Sequence, residues 1–573
     1  MQFPHLAIAA HRAAPLFLLL IAFACPAQAQ PNPEATKKLQ AAVALEQGGD
    51  LKAAEVAFEQ FTKEYPNLGV GWFRLAHVRH AQGRFEESAA GHLKSAEFPS
   101  FKPISLYNAA CAYAKLKQTD KALETLKLAV DAGFADRDQL ANDTDLIDIR
   151  NDARFAALMP PLFLGKEVFA EPSRVIHSFD GEAAGDEFGW VARKIGDLDK
   201  DGVIDFASTA PGHKNHAGKI YIYSGKSGTL LFSQEGKSPG ERFGGSIASA
   251  GDVNADGTPD CIVGAPQKAT GLARILSGVD GKVLHEINGG STGAKFGQSV
   301  ASIGDLNADG HSDFVITAME DGAAVKGKGE CTAFSGKDGA RIFTLSGEAS
   351  GDQFGSGAGT FFDDKQKLLA VGAMKAGPGK RGCVYLYRIE DKEPKLLHKF
   401  EAEPTGQNLG QFFLCFPGDV DGDGTPDLFC TDFNDSSGAP GAGRVYVYSS
   451  VSGKRLLDLK GSRPGEGLGT SVSDAGDVNG DGVGDLVIGA WQNSERARSG
   501  GKIYLYSGKE GALLRTWTCK QAGDTLGFDA QGIGDVDGDG LIDFLVTSAW
   551  SNIKGAKTGR VFILAGEKYP SAN

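Results

Sequence analysis

Six copies of one acidic turn, set at nearly even spacing, restrict what this chain can fold into more than any other feature. The fullest copy reads Asp419-Val-Asp421-Gly-Asp423-Gly424-Thr-Pro-Asp427. Carboxylates at positions 1, 3, 5 and 9 converge from one tight loop, and the glycine at position 6 accepts the positive φ needed where the backbone doubles back. Oxygen ligands so arranged suit a hard cation. Related turns begin at Asp197, Asp252, Asp305, Asp477 and Asp535, and the six starts lie 55, 53, 114, 58 and 58 residues apart. Because 114 is two periods of 57, a seventh, degenerate copy is expected between Asp305 and Asp419.

The candidate metal ligands in the first three loops are Asp197, Asp199, Asp201 and Asp205; Asp252, Asn254, Asp256 and Asp260; and Asp305, Asn307, Asp309 and Asp313. Those in the last three are Asp419, Asp421, Asp423 and Asp427; Asp477, Asn479, Asp481 and Asp485; and Asp535, Asp537, Asp539 and Asp543. The carbonyl at position 7 would add a further oxygen. Two like charges ~4 Å apart repel by roughly 4 kcal/mol at an effective dielectric of about 20, so convergent carboxylates without a cation would push the hairpin open. Up to six structural Ca2+ ions are therefore expected. Asn at position 3 lowers the ligand charge from −4 to −3 and predicts weaker sites. Mg2+ suits the turn less well, since it prefers a small octahedron with retained water.

Residues 1–29 carry Arg12, the apolar run Ala13 to Ala24 broken by Pro15, and Ala27-Gln28-Ala29, the pattern of a cleaved export signal. Cys25 offers a lipoprotein alternative in a poor lipidation context. No later run is apolar for long enough to cross a bilayer. The expectation is a periplasmic, cell-surface or extracellular protein with no transmembrane segment. Net charge is −13, or −14 without Arg12, which argues against nucleic acid as a partner. Six divalent cations would bring that to about −2, so the loops account for much of the acidity. Seven cysteines follow the signal without a CxxC pair, and they read as small buried hydrophobes.

From residue 33 to 159 the pattern is helical and repeats every 34 residues: Gly49-Asp-Leu51, Gly83-Arg-Phe85 and Lys117-Gln-Thr119 fall in register. Ala54, Ser88 and Ala122 take the close-packing position of each second helix. This resembles tetratricopeptide repeats, which implies stacked antiparallel helix pairs forming a short α-solenoid. Such a solenoid presents a concave surface to a peptide or protein partner, or simply packs. Trp72, Phe73 and Tyr107 read as inter-helix core rather than as a peptide groove. Residues 142–155 resemble the closing segment that follows such repeats.

After a proline-bounded linker, 160–173, the pattern changes to period-two strands. One unit runs Phe243-Gly244, the loop from Asp252, Asp260 to Gly264-Ala265-Pro266, then strands at Ala273 and Lys282. This resembles the FG-GAP repeat of integrin α-subunit propellers over residues 174–567. The Phe-Gly element recurs at Phe188, Phe296 and Phe354 and softens to Leu at Leu409, Leu468 and Leu526. The degenerate copy is Phe361-Phe362-Asp363-Asp364-Lys365-Gln366, where Lys365 beside two carboxylates predicts no metal. Seven units of four strands give an all-β seven-bladed propeller, which leaves no long exposed sheet edge. Residues 174–179 read as the fourth strand of the last blade, closing the ring.

The resemblance implies that the acidic loops join first to second strands on one face, leaving the opposite face for a protein or glycan ligand. Basic residues such as Lys214, Lys268, Lys326, Lys328 and Arg381 populate that opposite face, and acids such as Asp186, Glu187, Glu348 and Glu403 largely cancel them. Trp190, Trp491 and Trp550 read as sugar-stacking rings or as packing between blades. Gly377-Pro-Gly379-Lys-Arg-Gly382 and Gly289-Gly-Ser291-Thr-Gly293 match catalytic strings but precede no helix. His213 and His216 could share a zinc ion but lack a third ligand in the loop. No catalytic constellation emerges, so the chain is not read as an enzyme. The expectation is a calcium-binding interaction or adhesion module with the helices as a second partner surface; the alternative is a lectin-like or polysaccharide-processing propeller.

Overall fold

The computed structural model describes residues 33–569, apart from 135, 161, 268–269, 291–292, 321–326 and 391. The expected export signal therefore lies outside the described residues. The chain divides into two compact units, 1–161 and 162–573.

In the first unit, helices Pro33–Gln47 and Leu51–Glu64, Gly69–Ala81 and Phe85–Ser95, and Lys102–Lys115 and Thr119–Asp131 form successive antiparallel pairs. Ala54, Ser88 and Ala122 are fully buried where the helices approach most closely. Gly49 and Gly83 turn the chain within their pairs at φ +82° and +77°. Lys117 holds the matching place in the third pair and takes φ +58° despite its side chain. Phe73 packs on His92 and Phe101, and Tyr107 stacks on Phe134 with centroids 4.1 Å apart. Both rings are core. Trp72 is half-buried and donates its indole N–H to the Pro66 carbonyl. Leu146, Ile149 and Phe155 of the closing segment, with Leu140 just before it, are buried against the last pair.

The second unit is a seven-bladed β-propeller, with seven antiparallel sheets among the described residues. Blade 1 shows the plan: Ala192–Gly196, Asp205–Ala210, Lys219–Tyr223 and Leu230–Glu235 pair in chain order. In blades 1 and 2 the second strand is buried along its whole length, while the fourth has only exposed and half-buried residues, as an outer edge should. Val175–Asp180 pairs with Arg560–Leu564, so the first strand of the unit completes the last blade.

Each Phe-Gly or Leu-Gly element is a joint between blades. Its first residue forms a parallel bridge to a glycine that precedes the third strand of the blade before: Phe243 to Gly218, Phe296 to Gly271, Phe354 to Gly329, Leu409 to Gly382, Leu468 to Gly443, and Leu526 to Gly501. Phe188 meets Gly559 in the same way and closes the ring. The bridging glycines admit no side chain; a Cβ on Gly218 would lie 2.1 Å from the Phe243 carbonyl oxygen. The apolar rings and leucines at the joints are buried, each a gain of roughly 2 kcal/mol.

Two features differ from the sequence reading. Blade 5 has three paired strands, and its first segment is reduced to a single bridge between Cys415 and Phe429. Pro417, directly after that segment, has no N–H to extend the ladder. Residues 162–172, within the expected linker, are docked on the propeller: Val168 and Phe169 are buried with Trp517 and Cys519, and Glu171 accepts the Thr518 amide at 2.6 Å. Apolar side chains between the prolines explain this.

Candidate metal centres

All six acidic loops have one hydrogen-bonding plan. The position 1 carboxylate accepts the position 5 amide on one oxygen and the position 6 amide on the other: Asp419 takes Asp423 and Gly424 at 3.0 and 2.7 Å, and Asp252 takes Asp256 and Gly257 at 3.0 and 2.8 Å. Asp197, Asp305, Asp477 and Asp535 repeat the pattern. Position 5 accepts the position 7 amide in every loop, as Asp201, Asp256, Asp309, Asp423, Asp481 and Asp539 do from Val203, Thr258, His311, Thr425, Val483 and Leu541. Backbone dipoles thus offset part of the repulsion expected among the carboxylates. The glycines at position 6 take φ between +79° and +89°. Position 4 is also left-handed, with Lys200, Ala255 and Ala308 near +60° where the other loops have glycine. The sequence reading missed this second constraint.

Position 9 does more than complete a cage. In each loop its carboxylate accepts the position 2 amide on one oxygen and, on the other, an amide from just beyond the third strand, which in every such blade but the last is the turn into the fourth. Asp205 takes Leu198 and Gly225, Asp260 takes Val253 and Gly278, and Asp313 takes Leu306 and Gly336, all between 2.7 and 2.9 Å. Asp427, Asp485 and Asp543 do the same through Ser450, Gly508 and Gly566. In blade 2 this residue must be glycine, because a Cβ on Gly278 would sit 1.8 Å from the Pro259 carbonyl oxygen; blade 5 has Ser450 in the same place. These aspartates are fully buried, and burial pushes the carboxyls of Asp260, Asp427 and Asp485 up to about 6 against the pull of the amides. The Ser-Gly that follows the third strand in blades 1, 2, 3 and 6 was the available signal.

Three loops bring carboxylate oxygens within 4.8 Å of one another: Asp197, Asp199 and Asp205; Asp419, Asp421 and Asp427; and Asp535, Asp537 and Asp539. In the loops with Asn at position 3, the Asn254 and Asn479 amides donate to Asp256 and Asp481 at 2.8 and 3.0 Å, while their carbonyl oxygens face the position 5 amides. An all-oxygen donor set of this kind fits a hard cation such as Ca2+. The degenerate turn of blade 4 closes on itself, with Asp363 accepting the Lys365 and Gln366 amides. Its strands are the longest set of any blade, nine, seven, eight and nine residues. Extended ladders there take the place of the position 9 clasp.

On the opposite face several of the charges are paired. Lys214 binds Glu235, Lys219 binds Glu182, Arg242 binds Glu187, and Lys399 binds Glu348. Lys268 and Lys326 lie outside the described residues. Trp491 and Trp550 meet edge to face at 4.8 Å, and Phe528 touches both as well as Trp190. The tryptophans of blades 1, 6 and 7 therefore gather around Phe528. His213 and His216 do not share a site: His213 faces Asp186, whereas His216 meets Arg242. The 377–382 glycine string forms a turn into the strand Cys383–Glu390, and Ser291 lies outside the described residues.

Fold and loops together define a β-propeller of FG-GAP repeats preceded by tetratricopeptide repeats. The description "FG-GAP-like repeat" matches residues 197–263 and "FG-GAP repeat" residues 469–506, while "Tetratricopeptide repeat" matches 38–68 and 104–132. The chain is similar to integrin alpha-4 of Xenopus laevis, 30% identical over 178 residues, which is 29% of this chain and 17% of that protein. It is 34% identical to integrin alpha-PS5 of Drosophila melanogaster over 174 residues, or 26% and 17% of the two chains. Integrin alpha-V of Gallus gallus matches at 30% over 148 residues, or 23% and 14%. The matches span less than a fifth of each of these relatives. Propellers and helical repeats of these kinds are typically interaction modules rather than enzymes. Among the described residues no helix is long and apolar enough to cross a membrane.

Proposed function

We propose that this chain is an exported, calcium-stabilised propeller that acts as a protein-interaction or adhesion module, with the tetratricopeptide helices as a second partner surface. The observation that carries the reading is the uniform oxygen-lined loop in six of the seven blades, on a ring similar to integrin α chains. Calcium would be held by positions 1, 3, 5 and 9 and the position 7 carbonyl, and would supply charge balance to the loop. The propeller's ligand is assigned to the face opposite the loops. A protein ligand is favoured over a glycan because the three tryptophans available for sugar stacking are engaged with Phe528 and one another.

The test is thermal unfolding of the full mature chain with calcium and after chelation, with bound ions counted by titration. A melting temperature that falls on chelation and recovers with calcium is expected. An unchanged melting temperature in fully stripped protein would reject the structural role. Calcium-dependent capture of a protein, but no signal on a glycan array, supports the interaction reading; saturable glycan binding would replace it with the lectin alternative.

A further inference from the structure

The connection that follows the closing strand of blade 7 and the 211–218 connection of blade 1 bring a buried histidine among three carboxylates, away from the acidic loops. His213 is 5% exposed. Its Nδ1 lies 3.1 Å from Asp186 Oδ1. An ionised carboxylate only accepts, so an Nδ1 proton sits on this bond and Nε2 points the other way. Nε2 is buried and has no hydrogen-bond partner. Facing it are Glu235 Oε1 at 3.6 Å and Glu182 Oε2 at 3.9 Å.

Those separations are too long for hydrogen bonds and close to what one ion would set. A tetrahedral Zn2+ with nitrogen and oxygen ligands at about 2.1 Å places neighbouring ligand atoms roughly 3.4 Å apart. We propose that His213 Nε2, Glu182 and Glu235 form a zinc-type transition-metal site, with Asp186 orienting the histidine from behind. A neutral imidazole and two carboxylates suit Zn2+ rather than Ca2+, which takes six or more oxygens.

Two lysines keep the carboxylate ligands ionised. Lys219 holds the other oxygen of Glu182 at 2.7 Å, and Lys214 lies 2.8 Å from both oxygens of Glu235, so the metal would share Oε1 with this exposed ammonium or displace it. The Tyr221 ring lies under the Lys219 ammonium at 4.6 Å. Asp186 is also fixed, accepting the Glu182 and Ala183 amides on its second oxygen. The three ligands come from the connection after strand Val175–Asp180, from the loop before Lys219–Tyr223, and from the end of Leu230–Glu235. The ion would therefore tie the first blade to the seam at which the ring closes.

The test uses the full mature chain in excess calcium, so that the acidic loops are saturated, with Co2+ as a spectroscopic probe and Zn2+ as competitor. Expected are visible d–d bands of a low-symmetry, nitrogen-containing site, abolished by Zn2+ and absent in His213→Gln. Asp186→Asn should weaken binding by about 10–100-fold, the usual effect of removing an orienting partner. His216→Gln should leave the titration unchanged. Absence of the bands in the unaltered protein, or their persistence in His213→Gln, would overturn the site. Glu235→Gln, at the exposed end of an outer strand, provides a second ligand test if His213→Gln does not fold; unaltered binding in that variant would also reject the assignment.

Discussion

Arg174 donates to the Asp539 carboxylate at 2.8 Å and also reaches Asp537, so the residue just before the closing strand places its charge on the acidic loop of its own blade. None of the other five loops has an arginine ion pair with its ligand carboxylates among the described residues. Arg174→Gln should sharpen calcium binding at this one loop by a few-fold while lowering the melting temperature of the chelated protein. Calorimetric titration against the unaltered chain checks it; identical isotherms would show that the guanidinium does not compete with the ion.

The two roles within one loop can be separated. Asp260→Ala removes the acceptor for two buried amides, Val253 and Gly278, and should cost about 2–4 kcal/mol even in the chelated protein, with a further loss in calcium, where one ligand oxygen is missing. Asp256→Ala removes a more exposed position 5 ligand and should destabilise chiefly when calcium is present. Urea unfolding in both conditions distinguishes them, and equal losses of the two variants in the chelated protein would contradict the assignment.

Lys117 takes a left-handed conformation in the place of glycine, a strain of roughly 1 kcal/mol for a residue with a Cβ. Lys117→Gly should raise the stability of the helical unit by about 0.5–1 kcal/mol, less the entropy glycine loses on folding. Denaturant unfolding followed by helical circular dichroism would detect this. A loss of stability would mean that the lysine stem contributes more packing than its backbone costs.

Burial pushes the Asp432 carboxyl up to about 6, even though the Gln407 and Asn408 amides donate to it. The folded protein thus holds this proton more tightly than the unfolded chain, in which aspartate titrates near ~4. Its contribution to stability is complete below ~4 and is lost as pH rises to about 6. Asp432→Asn removes this titration, so its stability should change less over that window, by on the order of 2 kcal/mol. Parallel pH profiles for the two proteins, measured in excess calcium, would argue against it.

Much of the propeller is legible from residue spacing, because six of the seven blades repeat the same buried clasp. Asp363 marks the shortened turn of blade 4, and residues 174–179 can be matched to Arg560–Leu564 before any contact is known, one residue from the strand Val175–Asp180 that forms. Other features depend on tertiary neighbours. Gly278 looks like an ordinary turn glycine until the Pro259 carbonyl is seen against it. Cys415 sits in a plausible strand, yet Pro417 and the neighbouring blade leave it one bridge. His213 seemed to belong with His216, three residues away, whereas its nearest acidic partner is Asp186, 27 residues earlier. Strand periodicity reports which face a side chain takes, but not which loops meet above it.

The joint between Phe188 and Gly559 is built like the other six. Any inter-blade connection could therefore serve as the opening of the ring, and a circularly permuted chain begun between two other blades would have all seven joints to form. The point where the polypeptide enters the circle is a choice of wiring rather than a weak place in the wall.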